Sequence, residues 1–377
     1  MDQIIWISII LFIPVFIILI GMPYWTRRTE SFGVSIPSDV YEDEKLKKMR
    51  KQYASSMTIF SLVTLFIFYF IVGKYAPNDE EAMGIVLSTT TIGFLIISFL
   101  IYLAFHKQMK QLKQKEKWNK QRQQKVVLQT NFYQQKLIHS NYWFLIAFAI
   151  VAVTLFITFT QYGRIPERVP MQYDFSGKIT NWTERSYRSV LIMPMTQIYM
   201  IALFMFINWM IGRSKQQLNA QNPDGSIEQN IIFRRRWSFF LIASGILLTV
   251  LFSVIQLSFI YSILTTLVIV ISLMISAIMI IGAIVLAITT GQGGSRVKHV
   301  RTTDNTVVNQ TDGTVVNRED DHYWKLGQFY FNRDDPSLFL EKRFGVGWTI
   351  NLANPLAWII LIGIIVIAAG IPILLSR

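Results

Sequence analysis

Eight uninterrupted apolar runs decide what this chain can fold into: residues 4–22, 57–73, 83–105, 143–161, 190–211, 237–260, 263–289 and 355–375. Each is close to the roughly 20 residues that cross a hydrocarbon core of about 30 Å as a helix. Each is apolar all round and not along one stripe, so the expected solvent is lipid. Composition agrees, since charged residues make up 16% of the chain, against about 25% in a soluble domain. Only Tyr261 and Ser262 separate the sixth run from the seventh. The expected fold class is an all-α polytopic membrane protein of about eight transmembrane helices. An extracytoplasmic proline-braced loop and a small cytoplasmic β-containing appendage complete it.

Lysine and arginine partition by side. Of the 36, 29 fall after runs one, three, five and seven. By the positive-inside rule those segments face the cytoplasm, and both termini lie outside a multi-pass plasma-membrane protein. The net charge of +13 is then a topology signal, and nucleic acid is not an expected partner. The first run has Asp2 but no basic residue before it, and Arg27 and Arg28 after it, so it reads as a retained anchor.

The chain divides into six pieces on this reading. Residues 1–56 hold the first span and a cytoplasmic segment, and 57–142 hold spans two and three with a basic stem. Residues 143–212 form a span–loop–span unit, and 213–290 a cytoplasmic loop with spans six and seven. Residues 291–354 form a cytoplasmic segment, and 355–377 the last span. In the first segment, Ser38 or Asp39 is placed to cap a short charged helix running to Tyr53. In the stem, Lys107, Lys110, Lys113, Lys117 and Lys120 recur at helical spacing as one basic stripe. It reads either as attraction to anionic membrane lipid or as a solvated stem that fixes topology. Residues 303–309 and 311–317 are a tandem repeat, TDNTVVN and TDGTVVN, read as a small hairpin or a slack linker. The aromatic-rich stretch from Tyr323 to Trp348 is too small for a core of its own. It is expected to dock on the membrane face with its rings at headgroup level.

Chemistry-bearing patterns are sparse. The absence of cysteine excludes disulfides, thiolate zinc sites and a cysteine nucleophile. The four histidines (His106, His139, His299, His322) include no i, i+4 pair for zinc. No catalytic, cofactor-binding or metal residue is assigned. The apolar runs contain no Asp, Glu, Lys, Arg or His, whereas ion-coupled transporters usually bury such groups. Asn208 and Gln256, with residues 88–91, are read as interhelical hydrogen-bonding positions. Glu167, Asp174 and Glu184 stand among basic residues and read as ion-paired. Asp334 and Asp335 before Pro336 read as a turn cap.

The largest outer loop contains RIPERVPMQYDFSGKITNW, residues 164–182. Pro166 and Pro170 fix φ and push Ile165 and Val169 toward extended backbone. A strand-like run from Val169 to Phe175 then meets a turn at Ser176–Gly177. Tyr162, Tyr173 and Trp182 are amphipathic anchors. The product is a stiff cap across helix ends, either a docking surface for an external peptide or lipid headgroup, or a plug sealing the bundle.

This loop, with RSYRSVLIMPM after it, resembles that of the DUF1648 family, which includes SdpI-type bacteriocin immunity proteins of Gram-positive bacteria. Pro166, Val169, Pro170, Asp174, Gly177, Trp182 and Pro194 carry the likeness. Gln172 stands where the family usually has histidine, and Ser176 where it has asparagine. The stretch YWKLGQFYFNRDDPSLFLEKRFGVGWTINLANP is similar to the DUF5808 module. Its marker residues are Tyr323, Trp324, Tyr330, Asn332, Asp335, Pro336, Arg343, Phe344, Gly345, Gly347, Trp348 and Asn351. RRTESFGVSIP resembles the segment after the first span of such proteins. The resemblance implies a non-enzymatic envelope protein that confers tolerance to, or senses, membrane-active peptides. Its partners would be membrane lipid, an external peptide and a cytoplasmic protein. The alternative is a transporter or lipid-handling protein with an uncharged central cavity.

Overall fold

The computed structural model describes residues 2–75, 80–118, 136–173, 179–217, 223–261, 263, 265–297 and 320–376. Each apolar run corresponds to one helix: α1 (Asp2–Trp25), α2 (Glu44–Tyr75), α3 (Glu80–Lys115), α4 (Leu145–Thr160), α5 (Tyr187–Arg213), α6 (Pro223–Tyr261), α7 (Thr265–Thr290) and α8 (Pro355–Ser376); the run at 143–161 begins in a 3-10 turn, Asn141–Phe144, ahead of α4. Among the described residues, six helices, α2 to α7, are long and apolar enough to cross a membrane, and 11–25 and 355–370 are shorter apolar stretches. The protein is an all-α polytopic membrane protein. Helices suit this solvent because every backbone hydrogen bond closes within the segment. Hydroxyls inside them follow the same logic: Thr64, Thr91, Thr154 and Thr158 donate to carbonyls one turn back.

Among the described residues, four antiparallel hairpins accompany the helices. They are β1 (Glu30–Ser31) with β2 (Val34–Ser35), β3 (Arg168–Tyr173) with β4 (Ile179–Glu184), β5 (Trp324–Lys325) with β6 (Phe329–Tyr330), and β7 (Phe339–Glu341) with β8 (Trp348–Ile350). The chain clusters into two compact units. The first comprises Met1–Lys136, Ser214–Phe233 and Leu286–Asn354; the second comprises Leu137–Arg213, Arg234–Val285 and Pro355–Arg377.

In the first unit, α2 packs against both α1 and α3. Phe12, Phe16, Phe68 and Phe94 fill one part of its core, and Phe32, Tyr53, Tyr102, Phe105 and Phe344 another. Phe32 stacks on Phe105 with centroids 5.4 Å apart, and Tyr102 meets Phe344 at 4.6 Å. Such ring pairs contribute about 0.5–1.5 kcal/mol each beyond their buried area.

In the second unit, Ala147, Val151, Ile201 and Ile242 pack α4, α5 and α6 around Phe144. The β3–β4 hairpin sits on Ile165, Val169, Val190, Phe259 and Ile260. Pro170 pairs with Trp182 beside an irregularity in register, where the ladder tolerates a residue that cannot donate.

Several local expectations change. The charged helix after the first span does not stop at Tyr53, and neither Ser38 nor Asp39 begins it. Those two lie in a 3-10 turn, Ser38–Glu42, and α2 starts at Glu44 and runs unbroken to Tyr75. Asp43 Oδ1 accepts from the Lys45 amide at 2.8 Å and opens the helix. The basic stripe of α3 is not one face: Lys107 and Lys110 are exposed, but Lys113 is 5% exposed and ion-paired to Asp321. Lys117 lies beyond the helix at φ 55°, and Lys120 is outside the described residues. Of the aromatic rings, Trp324, Tyr330, Phe339 and Phe344 are buried in protein, whereas Phe329 and Phe331 are exposed. The proline-braced segment gains a second strand, β4, which the sequence reading did not place. Residues 303–317 and His299 lie outside the described residues.

Candidate functional site

Two hairpin turns build the centre of the first unit. Between β1 and β2 the chain reverses through Phe32 at φ 47° and Gly33 at φ 76°; between β5 and β6 it passes Leu326 at φ 54° and Gly327 at φ 71°. Non-glycine residues adopt this left-handed region at a cost of about 1–2 kcal/mol. Here the cost is offset by a shared donor: the Tyr102 hydroxyl lies 3.4 Å from the Phe32 carbonyl and 3.0 Å from the Leu326 carbonyl. His106 Nδ1 adds a second donor to Phe32 at 2.8 Å. Gly33 is required because a Cβ there would run into Gly327 and the Tyr102 hydroxyl.

Beside these turns lies a buried ionic junction. Arg343 is 2% exposed, and its guanidinium pairs with Asp320 and Asp321 while Nε stands 3.4 Å from Glu30. The Trp324 ring packs against it, with Cζ 4.9 Å from the centroid. Asp321 also receives Lys113 Nζ and the Ser35 hydroxyl, the latter at 2.8 Å. Burial alone would raise the Asp321 carboxyl, but Arg343 and then Lys113 outweigh it and hold it below the ordinary carboxylate range. Burial likewise works against the Arg343 charge, and Glu30, Asp320 and Asp321 hold its pKa above the usual arginine range.

The turn that follows Arg343 docks residue by residue. Phe344 enters the ring cluster of Phe32, Tyr53 and Tyr102. Gly345, at φ 83°, donates its amide to Thr26 Oγ1 at 2.9 Å. Gly347, at φ 122°, exchanges two hydrogen bonds with the Gln292 amide at 2.7 and 2.9 Å. Trp348 packs on Phe233 with centroids 5.0 Å apart. Glu341 is wholly buried between Arg27 and Asn230.

The remaining marker residues form a self-bracing loop. Tyr330 donates to Asp335 Oδ2 at 2.8 Å, and Lys215 reaches the same oxygen at 2.7 Å. Asp335 Oδ1 accepts from the Ser337 amide across exposed Pro336, so this aspartate is a turn cap. Asn351 bridges to the Asn332 and Asp335 carbonyls, and its Oδ1 accepts from the Asn332 amide. Tyr323 accepts at its carbonyl from Phe331 and packs on the small cluster of Trp324, Tyr330 and Leu340. All twelve residues thus belong to one docked module.

The residues of the proline-braced loop meet less completely. Ile165 and Val169 are buried, and Pro166 between them is exposed. Arg185 Nη1 donates to the Ile165 carbonyl at 2.6 Å, its amide donates to the Glu167 carbonyl at 2.7 Å, and its guanidinium lies over the Tyr162 ring. Gln172 pairs through its backbone with Asn181, and Trp182 is 49% exposed. Asp174 and Gly177 lie outside the described residues.

A third arrangement is an uncharged polar seam within the second unit. Gln197 donates to the Thr249 carbonyl and to Ser253, the Thr154 and Ser253 hydroxyls are hydrogen-bonded to each other, and Gln256 reaches Thr158 and the Val190 carbonyl. Asn208 ties the Asn141 side chain and the His139 carbonyl. Gln256 bonds between helices, as expected, whereas Asn208 ties α5 to the coil and 3-10 turn that lead into α4. The carbonyl oxygens of Gln197 and Gln256 are buried without a hydrogen-bond partner.

With this geometry in place, family comparison finds two short matches. Residues 149–198 match a domain of unknown function, DUF1648. Residues 333–358 match a family of unknown function, DUF5808. The DUF1648 match takes in most of α4, the β3–β4 hairpin and the first part of α5, including Pro194. The DUF5808 match takes in the Asp335 turn, the β7–β8 hairpin and the start of α8. No curated protein and no solved structure matches the chain.

Sequence reasoning missed the module's receptors: Thr26, Glu30, Lys113, Asn230, Gln292, Asp320 and Asp321. The likeness carried by RRTESFGVSIP was the one available signal, because it marked Glu30 to Ser35 as part of the same kind of protein. The partners stand too far apart in sequence for any local spacing to pair them; Arg27 and Glu341 are 314 positions apart.

Proposed function

We propose that this integral membrane protein is not an enzyme and confers tolerance to, or senses, membrane-active peptides at the plasma membrane. The observation that carries the reading is the β3–β4 hairpin. Its base is fastened by Arg185 and by buried Ile165 and Val169, while Thr180, Asn181 and Trp182 stay exposed. A two-stranded ribbon leaves backbone edges that suit an extended peptide. A fixed base lets such a surface bind without first being ordered. On this reading the hairpin faces outside with both termini, and the docked module faces the cytoplasm, where it is available to a protein partner. Deletion of the gene followed by challenge with a panel of membrane-active peptides tests the proposal. Increased sensitivity to at least one peptide, restored by the intact gene, is expected; an unchanged profile across the panel overturns it.

The polar seam supports a second reading, lipid or solute handling through an uncharged interior. Its specific support is the pair of buried, unpartnered Gln197 and Gln256 oxygens, acceptors that a passing polar group would satisfy. Altered lipid or solute distribution in the deletion strain, with peptide sensitivity unchanged, favours this reading.

A further inference from the structure

The first unit contains a cavity of about 700 Å³ that neither the module nor the hairpin accounts for. Arg28, Lys47, Arg50 and Arg296 line it, against one carboxylate, Glu42. Arg50 is 4% exposed; its Nη2 donates to the Tyr41 carbonyl at 2.9 Å and its guanidinium lies over the Tyr41 ring, while Nη1 is buried without a hydrogen-bond partner. A charged donor left unfilled at such a depth is costly unless an acceptor occupies the space beside it. Arg296 spends its donors on the neutral Ile288 and Tyr24 carbonyls, so its charge is not cancelled. Among the described residues, Arg28 reaches toward the Tyr41 ring, 6.0 Å away. Among the described residues none of these three arginines forms an ion pair. Lys47 is partly neutralised by Glu42 at 3.9 Å and Glu44 at 3.1 Å.

The geometry points to a binding site for a phosphate group, and we propose that its source is an anionic phospholipid headgroup. Guanidinium groups lining one cavity, with Arg50 Nη1 unfilled, match phosphate oxygens better than any neutral ligand. The position favours lipid: Tyr24 closes α1, and Ile288 and Thr289 lie in the last turn of α7, where an apolar span gives way to polar chain. A headgroup here would rest its phosphate on Arg50 while its chains remained beside the helices. The cavity is distinct from the α3 stripe, whose Lys113 is committed to Asp321.

The test uses the full-length protein in neutral detergent, with native mass spectrometry and thermal melting as readouts. Three probes are compared: phosphatidylglycerol, phosphatidylcholine and inorganic phosphate. Phosphatidylglycerol is expected to bind at least tenfold more tightly than phosphatidylcholine and to raise the melting temperature. Arg50→Gln should lower that affinity about tenfold, and exposed Arg28→Gln about threefold with folding intact. Glu42→Gln removes the opposing carboxylate and should tighten binding, a gain that misfolding does not produce. Equal binding of both lipids, or no loss in both arginine variants, overturns the proposal. Stabilisation by inorganic phosphate without a lipid preference overturns the lipid source.

Discussion

Phe32 and Leu326, nearly 300 positions apart, both hold left-handed backbone and both direct their carbonyls at the hydroxyl of Tyr102. One phenol on α3 therefore joins the first polar segment to the docked module. The two turns are strained singly and stabilised together, so neither is expected to hold its form without the other.

The hydroxyl is separable from the ring. In Tyr102→Phe the stacking on Phe344 survives, while the Leu326 carbonyl loses its donor and the Phe32 carbonyl keeps His106. Leaving a fully buried acceptor unmatched costs about 1–3 kcal/mol, and the part-buried Leu326 carbonyl sets the loss toward the low end. Thermal melting in detergent should show a lowered transition with membrane insertion unchanged, and a melting temperature equal to the parent's would remove the hydroxyl from this role.

Arg343 is the buried cation among Glu30, Asp320 and Asp321. Replacing it with methionine takes the shared cation from Glu30, Asp320 and Asp321, although Asp321 keeps Lys113, and breaking a buried pair from one side costs about 3–5 kcal/mol. Limited proteolysis should then cut within residues 320–354 at protease levels that spare the parent. Exposed Arg333→Gln provides the contrast and should cut like the parent.

Acid should undo the same junction. Because Asp321 is held below the ordinary carboxylate range in the fold, its ionised form contributes stability that is fully present above the unfolded value of about 4. That contribution falls away as pH drops through the lower folded value. Asp335, whose carboxyl burial would raise but Lys215 and the Ser337 amide hold down, adds in the same direction. Module protection should be flat from pH 8 to about 5 and weaken below about 4, with a smaller acid response in Asp321→Asn.

Orientation is open to direct labelling because the chain has no cysteine. Thr180→Cys, on exposed β4, should react with an impermeant maleimide in intact cells, and Asp334→Cys should react only after permeabilisation. Equal labelling of both would overturn the assignment of sides.

The prolines test whether stiffness of the hairpin matters. Pro166→Ala with Pro170→Ala enlarges the alternative loop states by about 0.4–1 kcal/mol per site, or roughly four- to thirtyfold for the pair. Peptide tolerance should weaken by a measurable shift in dose–response while expression and insertion hold. Full protection by this double variant would assign the hairpin to sealing alone.

The sequence by itself determined the helices and their solvent. An apolar run such as 263–289 has one stable form in lipid, the helix, and its length alone states that it can span. It also determined local geometry wherever a residue acts through its own backbone. Pro166 extended Ile165, and Asp335 capped its own turn. What only the tertiary structure decided was which charges lie inside. Lys110 and Lys113 look alike on paper, yet one is in solvent and the other is paired with Asp321. Arg50 reads as one more basic residue of a charged helix, yet it lies under a cavity with a donor unfilled. Burial of a charge depends on partners brought from distant segments, and its free energy is set by that three-dimensional neighbourhood. Helical spacing carries no record of it.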